Sequence, residues 1–172
     1  MKRTSVLAVL ALFVSLHSQA QESPSSEIAA ITLPKNSLKI SRKDALEFKD
    51  KKYKYLTEIK GDKNVYNVDG IIFSFRDIPM MDDDNITLLD QKAEMEAFYK
   101  KNGGKIVESR IVTINSASFF VFESKEGDER ILSFTSDFKN RKTLICTCHY
   151  KESDEAKAKA IFDKIINNIR FK

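Results

Sequence analysis

Residues 105–150 constrain this chain more than any other stretch. They read KIVESRIVTI, SASFFVFES, ERILSFTSDF and KTLICTCHY, with turn-forming residues (Asn115-Ser116, Glu126-Gly127-Asp128 and Asn140-Arg141) at the breaks. Each piece is rich in β-branched and aromatic residues, which suit a pleated, half-buried surface. Each break carries residues that tolerate a tight reversal. Four consecutive strands in a meander follow from that pattern. The other segments are therefore read as whatever packs around the sheet.

The flanking sequence supplies both strands and helices. Over 64–78, Val65 and Val68 lead into Asp69-Gly70, a strong two-residue turn signal; Ile71, Phe73 and Phe75 alternate on the way out, and Pro79 closes the hairpin. Thr87 followed by Asp90 makes a capping box for a helix reaching about Asn102, and Gly103-Gly104 stops it. Near the end, Ser153, Asp154 and Glu155 sit at a helix start, and Ala158, Ile161, Phe162, Ile165, Ile166 and Ile169 form one apolar stripe. That stripe predicts packing against the meander. Earlier, Ile31 to Leu33 and Leu38 to Ile40 read as an edge strand interrupted by Pro34. Ser41 and Asp44 open a short helix to about Lys51, Tyr53, Tyr55, Thr57 and Ile59 alternate as a strand, and Gly61, Asp62 and Lys63 make a turn. The expected fold is α+β: a single domain over 31–172, with an antiparallel sheet of roughly five to seven strands flanked by helices.

Residues 1–20 have a different character. Lys2 and Arg3 precede an apolar run from Val6 to Leu16, and Ser18, Gln19 and Ala20 offer small residues at cleavage spacing. This is the pattern of a secretory signal peptide, too short to span a bilayer. The expected mature chain starts at Gln21, with 21–30 as a flexible leader, and works in the periplasm or as a secreted protein. The whole chain has 29 Lys and Arg against 25 Asp and Glu; without Lys2 and Arg3 the balance is 27 against 25, a net +2. So small an excess gives no argument for nucleic acid. No later segment approaches transmembrane length.

The chemistry-bearing residues are few. Cys146 and Cys148 share one strand face with Leu144 and Tyr150, while His149 points the other way. Three readings stay open for the pair: half-buried small apolar residues, a strained and reducible disulfide, or a metal or redox site that needs further ligands. His149 is the one histidine left after cleavage, which disfavours a conventional catalytic triad and a His-rich zinc site. Asp82, Asp83 and Asp84 are followed by Asn85 and Ile86, so the run lacks the glycine and spacing of a calcium loop. Paired carboxylates for glycoside cleavage stay conceivable, but there is no tryptophan for a sugar platform. No glycine-rich phosphate loop is present, and no metal or cofactor is called for. A basic stretch with interleaved aromatics, Lys49, Lys51, Lys52, Tyr53, Lys54 and Tyr55, is the candidate binding patch for an anionic partner.

Taken in order, a hairpin, a helix ending in Gly103-Gly104, a meander beginning VESRIVTINSASFFVFES and a closing helix ending IFDKIINNIRFK resemble the PsbP-like family over 65–172. The resemblance implies an α/β/α sandwich on a central antiparallel sheet. It also implies a last helix with an apolar-x-apolar tail, as in Ile169-Arg170-Phe171. Its members act mostly as non-enzymatic accessory proteins that bind and stabilise partners, and no binding residue carries over to a position here. The expected function is an exported, non-catalytic accessory or binding protein of the bacterial envelope, whose partner is an envelope protein or anionic envelope component. The alternatives are a small hydrolase using paired carboxylates and a carrier with an apolar ligand pocket.

Overall fold

Tight turns set the architecture. Asp69 and Gly70, Asn115 and Ser116, and Asn140 and Arg141 all have positive φ at both central positions, and Gly127 has it at the first position of its turn. Such turns twist in the sense that right-handed strand pairs require. The structure is a computed structural model describing residues 23–41, 43–45, 47, 64–80 and 86–172. The first turn joins β3 (Asn64–Val68) to β4 (Ile71–Pro79). The others join β5 (Lys105–Ile114), β6 (Ala117–Glu126), β7 (Glu129–Ser136) and β8 (Lys142–Lys151), the predicted meander.

With β2 (Ser37–Lys39), these strands form a seven-stranded sheet in the order β2-β3-β4-β8-β7-β6-β5. Every neighbouring pair is antiparallel. After β4 the chain passes through helix α1 (Leu88–Lys101) and lays β5 at the far edge; the meander then returns until β8 pairs with β4. Helix α2 (Glu155–Asn167) follows a short 3-10 turn, and β9 (Arg170–Phe171) ends the chain.

Side-chain alternation divides the two faces. Tyr66, Phe73, Phe75, Phe119, Val121, Leu132, Phe134, Leu144, Cys146 and Cys148 form the main core with Ala158, Phe162, Ile165 and Ile166 of α2. On the opposite face, Phe120 and Phe122 pack with Leu88, Tyr99, Ile106 and Ile111, which seats α1. Farther along that face Ala45 packs on Val65 and Ile72. The result is the expected α+β architecture, a central antiparallel sheet between helical layers. Among the described residues no helix is long and apolar enough to cross a membrane.

Capping follows the sequence in α1. Thr87 accepts from the Asp90 amide while the Asp90 carboxylate accepts from the Thr87 amide, and Gly103 takes φ +70° beyond the helix end. Helix α2 differs: Asp154 is its N-cap but makes no side-chain capping bond, because the 3-10 turn over 152–154 leads straight into the helix.

The N-terminal segment also departs from expectation. Residues 28–30 are not part of a flexible leader: Ile28 and Ala29 are buried, and β1 (Ala29–Ala30) pairs with β9. Asp77 anchors them, accepting from Ser26 Oγ at 2.8 Å and from the Glu27 amide at 2.6 Å. Ile31 and Leu33 are buried without forming a strand, and the edge strand is confined to 37–39. Ile28 and Ala29 find the core because the C-terminal tail offers their strand an edge. The helix expected from Ser41 is present at 43–45 and 47, with the Asp44 amide donating to Ser41 Oγ at 3.1 Å; its continuation, the expected strand over 53–59 and segment 1–20 lie outside the described residues.

Phe134 is fully buried, with ring centroids 5.4 Å from Phe119 and 5.7 Å from Phe162. Phe134→Ala is expected to lower the unfolding free energy by about 3–5 kcal/mol. Leu89→Ala, at a position 69% exposed, is expected to change it by less than about 0.5 kcal/mol. Urea denaturation of the two variants checks the contrast.

Candidate functional site

The end of α1 lies over the tip of the β6–β7 hairpin, and between them is a partly enclosed cavity of about 470 Å³. That volume falls in the range of small-ligand and anchor-residue pockets. Phe98, Tyr99 and Asn102 come from the last turn of the helix, Gly103 and Gly104 from its stop, and Lys105 from the start of β5. The hairpin contributes Ser124, Lys125, Glu126, Gly127, Glu129, Arg130 and Ile131, and β8 adds His149.

The aromatic wall is held from behind. The Tyr99 ring lies 4.9 Å from Phe122, and its hydroxyl is 3.0 Å from Ser124 Oγ. Gly104 is a glycine for a steric reason, since a Cβ there would stand 2.5 Å from Tyr99 Cδ1. Asn102 Nδ2 donates to the Phe98 carbonyl at 2.7 Å and closes the helix end. Phe98 itself is 61% exposed, a large apolar ring left at the rim.

Behind the cavity is a charged cluster on the α2 side of the sheet. Glu123 has no exposed surface; its Oε1 accepts from Arg130 at 3.0 Å and from the Tyr150 hydroxyl, and Lys159 Nζ stands 3.0 Å from its Oε2. Arg130 also reaches Glu152 at 2.6 Å and Glu155 at 3.1 Å. Burial pulls the Arg130 guanidinium down, but its bonds to Glu152 and Glu123 outweigh that and hold it above its ordinary range. Burial, reinforced by the bond to Glu123, pushes the Tyr150 hydroxyl well up. Hydrogen bonds from Lys125 and Arg130 bring Glu152 from the ordinary 4.5 to about 2. The Arg130 Nε–H is buried with no acceptor, a state that costs roughly 1–3 kcal/mol for a polar group.

The site residues expected from sequence are distributed otherwise. Cys146 and Cys148 are free thiols, fully buried in the main core, and burial raises both well above the usual thiol range. The bridge considered for them is not formed; they point the same way from alternate positions of one extended strand, where closure strains the backbone. His149 is 5% exposed on the opposite face, so thiols and imidazole do not converge. Among the described residues no group of three metal-binding side chains assembles. Two acids do line the cavity: Glu126 is exposed, and Glu129 is buried with Lys151 Nζ 3.5 Å from its carboxylate. The basic patch of Lys49, Lys51, Lys52, Tyr53, Lys54 and Tyr55, and the run Asp82 to Asp84, lie outside the described residues. In the sequence Gly103 and Gly104 signal a helix stop and nothing of the recess beside it, so the cavity is not legible in them. The usable signal was the aromatic pair Phe98-Tyr99 one turn before them.

Fold and site together define an α/β/α sandwich with an aromatic-walled cavity at its helix–hairpin end. A solution structure of the cyanobacterial PsbP protein CyanoP, from Synechocystis sp. PCC 6803, is similar with a TM-score of 0.49 and 12% identity, over 67% of this chain and 80% of that one. A crystal structure of PA94, a Pseudomonas aeruginosa protein of unknown function, is similar with a TM-score of 0.45 and 12% identity, over 87% of this chain and 85% of that one. No protein-family model matches the chain, and no curated protein does. The α/β/α class rests on this chain's own topology.

Gly104→Ala is expected to displace the Tyr99 ring, break its contact with Ser124 and destabilise the fold by about 1–3 kcal/mol. Gly103→Ala meets open space and carries only left-handed strain, about 1–2 kcal/mol. Ring-proton shifts of Tyr99 and denaturation midpoints separate the two. The lowered pKa of Glu152 gives a second expectation. Its contribution is complete above pH 4.5 and is lost as pH falls toward about 2. Stability should therefore fall less steeply over that window in Glu152→Gln than in the parent chain, as measured by thermal melts across pH.

Proposed function

We propose that this chain is an exported, non-catalytic accessory protein of the bacterial envelope that binds a partner through the cavity between α1 and the β6–β7 hairpin. The observation that carries the reading is the cavity wall: an exposed Phe98 beside a braced Tyr99, with Lys105 and Lys125 at the rim. Exposed aromatic rings around a preformed recess are the usual anchors of recognition surfaces. The basic, apolar and small-residue pattern of 1–20 supports export, and the family resemblance implies an accessory role. The reactive thiols are sealed in the core, away from this surface.

A photo-crosslinking residue in place of Phe98, in the chain expressed in its own host, tests the reading. Adducts of defined mass are expected at position 98 and not at Asp163, an exposed position on α2. Equal adducts at both positions, or none at 98, would count against binding through this cavity.

A further inference from the structure

The cavity's charges are unevenly answered, and this points to the chemistry of its occupant. Lys105 and Lys125 are direct partners across the β5–β6 ladder, so two cations stand side by side. Like charges in that position repel. Glu152 answers Lys125, bonding its ammonium with both carboxylate oxygens at 2.7 Å. Among the described residues nothing answers Lys105, nor Lys101, which follows Phe98 by three positions on α1 and is exposed. Arg130 already faces Glu123, Glu152 and Glu155, so it leaves no unanswered charge for a further anion. On the hairpin side the exposed Glu126 repels acids, while Glu129 is met by Lys151.

From this asymmetry we infer that the cavity takes one aromatic side chain of a partner protein, presented in a segment with acidic residues on one side of the ring only. The inference deepens the reading above and rests on it. The ring enters against Tyr99 and Phe98, and the acids lie over Lys101 and Lys105, away from Glu126. The aromatic contact supplies most of the binding, because rim charges in water steer more than they hold.

The test is an amide-proton NMR titration of the full chain with capped peptides. The probe carries two aspartates followed by phenylalanine and glycine. Controls replace the phenylalanine by alanine, or both aspartates by lysine. Saturable shifts at Phe98, Tyr99, Ser124 and Lys105 are expected for the probe alone. Phe98→Ala should weaken binding about tenfold, as for an anchor contact, and Lys105→Glu about threefold, as for an exposed charge. Equal binding of either control peptide, shifts centred elsewhere, or no shift at millimolar peptide would overturn the inference. So would equally tight binding of free phenylacetate, which would make this a small-molecule site. Adducts at position 98 without peptide binding would remove this inference and leave the accessory reading intact. Peptide binding without adducts would count against the accessory reading and, with it, against a protein occupant in the host.

Discussion

The ladder between β4 and β8 holds the two halves of the sheet together. It runs through eight residue pairs, from Ile72 opposite His149 to Pro79 opposite Lys142. On one side of it Phe73 and Phe75 meet Cys148 and Cys146, all buried in the main core. This pairing closes only if the meander begins at the far edge and works back. The connection from β4 therefore has to cross the sheet before β5 starts, and α1 makes that crossing on the face of Phe120 and Phe122. Having crossed, the helix must stop where β5 begins. Its last turn then hangs over the neighbouring hairpin tip. The cavity is thus a by-product of topology, shaped afterwards by the side chains at the helix end.

The opposite face carries a different constraint. Glu123 sits where α2 covers the sheet, so its charge is buried and must be answered. Arg130 and Lys159 answer it from β7 and α2, and Tyr150 donates from β8. Such clusters gain little net stability, since desolvation offsets the Coulomb term, but they penalise any arrangement that leaves one member unpaired. Here the partners of Glu123 come from two neighbouring strands and a helix, so the cluster ties the docking of α2 to the register of the meander. Arg130 also lines the cavity, which makes the two faces meet at one side chain.

Much of this was legible in the residues. The meander, the first hairpin, the capping box at Thr87 and the helix stop at Gly103 all depend on local chemistry, and local chemistry reads directly from sequence. The burial of Ile28 and Ala29 did not, because it depends on pairing with Arg170 and Phe171 at the other end of the chain. A polar run such as Ser23, Pro24, Ser25 and Ser26 gives no hint of such a partner. The cavity was hidden for the same reason. Its residues come from a helix end, a hairpin tip and a strand, which are close only once the crossover is known. The charge cluster was hidden too, since Glu123 falls in an apolar run that says nothing of which acid will be covered.

The parity of β8 settles where chemistry and contact can occur. Even-numbered positions from Leu144 to Tyr150 point into the main core, and His149 points to the cavity side. A slip of one residue would exchange these sets, placing two thiols at a solvent-facing recess and an imidazole in the apolar core. The register forbids it twice over: Phe73 and Phe75 must stay opposite Cys148 and Cys146, and Arg130 must stay opposite Tyr150. Thiols held this way cannot ionise readily, because burial raises them far above neutral pH. What remains on the accessible side is aromatic surface and a few cations, with His149 largely covered beneath them. That is a surface suited to holding a partner, and the strand that creates it keeps the reactive sulfur out of reach.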